Sequence, residues 1–242
     1  MATFILASCL FTSVRDEQGN KFSIPMENIN QIVTNIDKFT PKKRRFVFIA
    51  NDPTAYQDND MRGKVLFESF DKTGLGFKEY IVLDGRNENL SSSIIKDADL
   101  IFISGGKILC ENEFLNKINF KKLLTDFNGL VIGTSAGAMN LCKTICNFPE
   151  EIADLQEPRL VNGLGVSERY LIPHFDGKNC KYEFSCEEFD IVKDYILPYS
   201  YKFELTALTN GAYILLNDNK EKIFGEYSII KDGKVKVIEN SK

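Results

Sequence analysis

The feature that most restricts how this chain can fold is an alternation of short apolar runs with stretches long enough for helices. Residues 45–50, Glu79–Leu83, Leu100–Ile103 and 129–132 are rich in Ile, Val, Leu and Phe. Such runs read as strands buried on both faces, and parallel neighbours of that kind need a crossover of a dozen or more residues between them. Residues 60–72, 91–98 and 112–127 supply those crossovers as expected helices. The fold class that follows is α/β, a doubly wound, mostly parallel sheet with helices on both faces. At 242 residues one core still accommodates the chain, so residues 1–242 are expected to form a single domain.

The pattern changes in the last third. Ser185-Cys186-Glu187-Glu188 has capping-box spacing and opens an amphipathic segment ending near Pro198. Beyond it, Asn210-Gly211 lies between the apolar runs 203–208 and 212–216, and Asp232-Gly233 between 227–230 and 235–237. Both dipeptides favour the positive φ of tight hairpin turns, so the chain is expected to end in an antiparallel hairpin extension.

Charge and cysteine content narrow the class of partner. Thirty basic against 34 acidic residues give a net charge of -4, and the one basic run, residues 42–45, enters a strand; nucleic acid is not expected as a partner. The apolar opening, residues 1–8, lacks a basic leader and is too short to cross a bilayer, so neither secretion nor a membrane is expected. Six cysteines dispersed along the chain read as reduced thiols in a cytoplasm. Neither the Cys142–Cys146 spacing nor the Cys180–Cys186 spacing is that of a usual zinc-ligand pair, and with a single histidine no metal and no cofactor are expected.

Chemistry concentrates in two segments. Gly133-Thr134-Ser135-Ala136-Gly137 follows an apolar strand and precedes a helix-compatible stretch, the pattern of a nucleophile elbow, in which small neighbours let the serine hydroxyl stand free at the strand end. Serine needs a base with a pKa near the working pH. His174, at the end of the short run 170–173, is the only histidine in the chain. A second glycine pair, Gly105-Gly106, also follows a buried strand. The amides of Gly106 and Ala136 are the candidate donors of an oxyanion hole.

These residues resemble the dipeptidase E and cyanophycinase family of serine peptidases. The resemblance rests on the strand-borne Gly105-Gly106, on Gly133-Thr134-Ser135-Ala136-Gly137-Ala138, on Pro173-His174-Phe175 and on Ala207-Leu208 with Gly211. It implies a flavodoxin-like sheet similar to that of class I glutamine amidotransferases, and cleavage of short peptides, with N-terminal aspartate preferred, without metal; a monomer or homodimer is expected. By position, Ser135 would be nucleophile, His174 base and Glu150 the acid that orients it, with Glu151 and Asp154 as alternatives. The family's asparagine after Gly-Gly is Lys107 here, a lysine suited to a substrate carboxylate. Three rivals are an α/β-hydrolase esterase, which places its histidine much nearer the C-terminus, a non-catalytic binding relic of the same fold, and an interaction protein that self-pairs through its C-terminal hairpins.

Overall fold

A computed structural model describes residues 2–184, 187–218 and 220–239. Its centre is a seven-stranded sheet. In chain order the strands are β1 (Thr3–Ala7), β2 (Arg45–Ile49), β3 (Glu79–Leu83), β4 (Leu100–Ile103) and β5 (Leu130–Thr134). Three strands from the last third follow: β6 (Tyr170–Ile172), β7 (Leu205–Leu208) and β8 (Tyr213–Asn217). The last strands of the two larger sheets are β9 (Lys220–Phe224), β10 (Tyr227–Lys231) and β11 (Lys234–Ile238), and among the described residues three two-stranded pairs lie outside those sheets. The order across the large sheet is β9-β8-β1-β5-β4-β2-β3. The five strands from β1 to β3 run parallel, and β8 and β9 join antiparallel at one edge.

Alternation along each strand feeds two cores. Phe46 and Phe48 of β2 point to one face and Val47 and Ile49 to the other, as the two-residue period of a strand requires. On the first face pack α1 (Ile32–Phe39) and α2 (Tyr56–Lys72), through Ile36, Leu66 and Phe70. The second face is covered by α3 (Ser91–Lys96), α4 (Ile108–Lys117), α5 (Phe120–Leu123) and α6 (Ala136–Leu141). The expected doubly wound sheet is therefore present, with helices on both faces. Residues 112–127, read as one helix, begin four residues earlier and break at Asn119, whose φ of 53° no helix accommodates.

β1 is the strand that composition alone did not reveal. Its apolar run pairs with β5 on one side and β8 on the other, at the middle of the sheet. A smaller sheet, ordered β6-β7-β10-β11, packs its own core around Phe175, Ile196 and Ile230.

One of the two expected hairpins is absent. β7 and β8 flank Asn210-Gly211 yet belong to different sheets, β7 to the small one and β8 to the large one. A two-residue hairpin turn of this type needs positive φ at both central residues. Gly211 has φ 84°, but Asn210 is not among the positive-φ residues, so the chain crosses between sheets instead of folding back. At Asp232-Gly233 both angles are positive, 51° and 70°, and β10 pairs with β11 as expected. The proposed capping box at Ser185 and Cys186 lies outside the described residues; the helical segment nearby runs from Val192 to Tyr199. Among the described residues no helix is long and apolar enough to cross a membrane.

Candidate active site

Ser135 occupies the turn between β5 and α6. Its φ of 53° and ψ of -118° lie outside the regions an L-residue ordinarily adopts. Such strain persists only where the surroundings over-determine it, and here they do. A Cβ on Gly137 would stand 2.5 Å from the Ile103 carbonyl oxygen and 2.8 Å from that of Ser104. Backbone atoms cannot yield as a flexible side chain would. Gly137→Ala should therefore destabilise the protein by about 1–3 kcal/mol, the usual penalty for overpacking, as a lowered midpoint of thermal unfolding; an unchanged midpoint would show that the two loops are free to part.

The imidazole of His174 meets the hydroxyl. His174 Nε2 lies 2.9 Å from Ser135 Oγ. On the far side of the ring, Nδ1 faces two acceptors, Asn210 Oδ1 at 2.8 Å and Glu183 Oε2 at 2.9 Å. Two acceptors at Nδ1 favour the tautomer with its proton there, which leaves Nε2 a free lone pair for the serine hydroxyl. The ring is also fixed from its backbone: the His174 N–H donates to Ser8 Oγ at 2.7 Å, Ser8 Oγ donates to Asn210 Oδ1 at 3.2 Å, and Phe184 packs edge-on at 5.0 Å between centroids.

The expected acid has to be corrected. Glu150 Oε1 accepts the Tyr182 hydroxyl at 3.1 Å, and burial pushes its carboxyl up against the opposing effect of that bond. Glu151 pairs with Lys107, and Asp154 accepts the N–H groups of Glu150 and Glu151. Each of the three is taken up by another partner, and none meets the imidazole. Glu183 reaches it by local geometry: strands Phe175–Asp176 and Lys181–Tyr182 pair antiparallel, and the Glu183 N–H donates to the His174 carbonyl at 3.0 Å. The Asp176-Gly177 pair just after the histidine was the turn signal that would have revealed it.

The Gly105-Gly106 loop lies against Ser135. A Cβ on Gly105 would come within 3.0 Å of the Ser135 Cβ. Gly106, at φ 151°, leaves 2.4 Å between a hypothetical Cβ and Asn51 Oδ1, so only glycine fits. Asn51 brackets the next residue, accepting the Lys107 N–H at 3.0 Å and donating to the Lys107 carbonyl at 2.9 Å. Among the described residues no group of histidine, cysteine and carboxylate side chains could hold a metal ion.

The sequence profile of peptidase family S51 matches residues 22–224. This chain belongs to that family. A search of curated proteins returned no match. Among solved structures, the S51 chain is similar to a peptidase from an acI-B1 Actinobacterium, at TM-score 0.69 and 17% identity, covering 100% of this chain and 96% of that one. A putative peptidase E protein from Listeria monocytogenes EGD-e aligns at TM-score 0.58 and 15% identity, covering 92% of this chain and 98% of that one. At those identities the likeness is one of fold; the family match makes the chain a serine-type peptidase.

Two cavities of opposite character flank Ser135 in this S51 peptidase. One, of about 250 Å³, is lined by Phe48, Leu66 and Phe102 together with Lys21 and Arg62. Burial, and the nearby Arg62 and Arg15, hold the Lys21 ammonium below its usual range. The other, of about 860 Å³, is lined by Gly106, Lys107 and the carboxylates of Glu150, Glu151, Asp154 and Glu183, among others. Lys107, expected to hold a substrate carboxylate, has its Nζ 3.3 Å from Glu151 Oε1. That ion pair raises its pKa.

Proposed function

We propose that this S51 protein is a metal-free dipeptidase that cleaves short peptides through an acyl-enzyme on Ser135. The observation that carries the reading is the 2.9 Å contact between His174 Nε2 and Ser135 Oγ, with Nδ1 held by acceptors on the other side of the ring. His174 takes the hydroxyl proton as Oγ attacks the peptide carbonyl, and the Gly106 and Ala136 amides receive the oxyanion. Glu183 orients the ring and stabilises the imidazolium that forms. The imidazolium gives its proton to the leaving amine, the C–N bond breaks, and water activated by the same imidazole releases the acyl group.

N-terminal aspartate is the finer part of this reading, and the two flanking cavities support it. Lys21 and Arg62 offer positive charge for a substrate carboxylate, and the carboxylates on the other side offer a place for an α-ammonium group. Arg62 is itself paired with Asp58 and Lys107 with Glu151; Lys107 is the weaker candidate because carboxylates line its cavity. Lys21→Met and Arg62→Gln should each raise KM for an Asp-x dipeptide by about tenfold, with kcat little changed, since uniform binding is lost. Equal KM values for Asp-x in these variants and the wild type would refute the assignment of the two cations.

The setting proposed with it is a single domain over residues 1–242, cytoplasmic, acting as monomer or homodimer. Free thiols at Cys9, Cys110, Cys142, Cys146 and Cys180 fit a reducing compartment. A panel of Asp-x, Glu-x and uncharged dipeptides, run beside labelling by a serine-directed fluorophosphonate, tests the whole. Hydrolysis with labelling at Ser135 is the expected result; binding without hydrolysis or labelling would instead mark a relic of the fold.

A further inference from the structure

Beneath the Ser135 turn lies a carboxyl for which the chemistry above has no use. Glu111, in the first turn of α4, is fully buried. Its Oε2 accepts the Asn140 amide at 3.1 Å, while Oε1 has no hydrogen-bond partner of good geometry among the described residues. Burial holds its proton well above the usual carboxylate range, against the opposing pull of the Asn140 and Asn51 amides. A buried polar group left in this condition is costly, and a leucine would fill similar space without that cost. Native structures keep such groups where something other than stability is served.

We propose that Glu111 is a positioning residue for acyl transfer, setting the spacing between the Gly106 and Ala136 amides. The inference rests on the reading of Ser135 as nucleophile. Two chains of contacts converge on this residue, the first at its backbone N–H and the second at its carboxyl. From the loop side, Lys107, next to Gly106, is clamped by Asn51, and the Glu111 N–H donates to the Lys107 carbonyl at 3.2 Å. From the turn side, Asn140 Nδ2 stands 3.1 Å from Glu111 Oε2, 3.2 Å from the Ala136 carbonyl and 3.3 Å from the Ile108 carbonyl. Asn140 is held in its turn by Asn112, whose amide donates to Asn140 Oδ1 at 2.8 Å. The start of α4 and α6 therefore meet at the Asn140 side chain, which engages the Glu111 carboxyl, the Ile108 carbonyl and the Asn112 amide. An oxyanion hole assembled from two separate segments works only while their spacing is kept, because a misplacement of about 1 Å can cost about a hundredfold in rate.

The test compares Glu111→Gln, which keeps a neutral acceptor for Asn140, with Glu111→Leu, which fills the space and removes it. Kinetics on the best peptide of the panel should show kcat of Glu111→Leu lowered by about tenfold or more with KM within about twofold, and Glu111→Gln close to wild type. Leu115→Ala, which opens the apolar core on the same helix, should lower stability without that fall in kcat. Amide NMR signals of Gly106 and Ala136 should shift in Glu111→Leu and stay in place in Glu111→Gln. A folded Glu111→Leu with wild-type kcat, a Glu111→Gln as impaired as Glu111→Leu, or a Leu115→Ala with the same loss of kcat would each overturn the proposal. Should Glu111→Leu fail to fold, Asn51→Ala, at a half-buried loop position, takes its place; unchanged kcat there overturns the proposal equally. If the wild type hydrolyses no peptide, the nucleophile reading fails, and the two amide signals still decide whether Glu111 sets their positions.

Discussion

Replacing Ser135 by alanine will abolish peptide hydrolysis and fluorophosphonate labelling while leaving the unfolding midpoint where it is. The hydroxyl is the only part of the turn removed; its hydrogen bond to His174 Nε2 is lost, while the backbone hydrogen bond from the Ser135 N–H to the Ala7 carbonyl, at 3.0 Å, is untouched. Removal of a serine nucleophile lowers kcat on the order of a millionfold where the rest of the machinery stays in place. Steady-state hydrolysis with purified Ser135→Ala measures this directly. A variant that still turned over within tenfold of the wild type would require another nucleophile altogether.

The second large effect separates two glutamates. Glu183→Gln should lower kcat by between about a hundredfold and ten-thousandfold, the upper figure being that for loss of the orienting acid in a serine triad. The range has a structural cause. Asn210 Oδ1 also faces Nδ1, so the useful tautomer survives, and what disappears is the negative charge that stabilises imidazolium. Removing Asn210 as well should bring the loss to the upper figure. Glu150→Ala, by contrast, costs the Tyr182 hydroxyl its acceptor without touching the imidazole and should leave kcat within about threefold. The reverse ranking in side-by-side kinetics would restore Glu150 as the acid.

The parallel strands and the Ser135 turn were legible because each is written locally: a strand buried on both faces must be apolar throughout, and a crowded turn must be built of small residues. His174 stood out because the chain offers no other imidazole. What local pattern could not give was long-range pairing. Thr3–Ala7 becomes a central strand through partners more than a hundred residues away, and only those partners distinguish it from an apolar terminus. Asn210-Gly211 reads as a hairpin turn, yet each flanking strand finds a partner in a different sheet, and the asparagine never takes the φ a hairpin would demand. The carboxylate beside His174 escaped the sequence for a similar reason. Three carboxylates crowd residues 150–154, whereas Glu183 depends on a two-residue strand pairing that carries almost no apolar pattern.

Asn210 stands at the point where the chain leaves the smaller sheet for the larger, and its side chain touches Ser8 from the strand end of one, His174 from the strand end of the other, and Glu183. A single amide thus senses how the two sheets are docked. Heat or denaturant that loosens the docking by a fraction of an ångström will turn the imidazole before either core opens, so loss of turnover should run ahead of loss of structure.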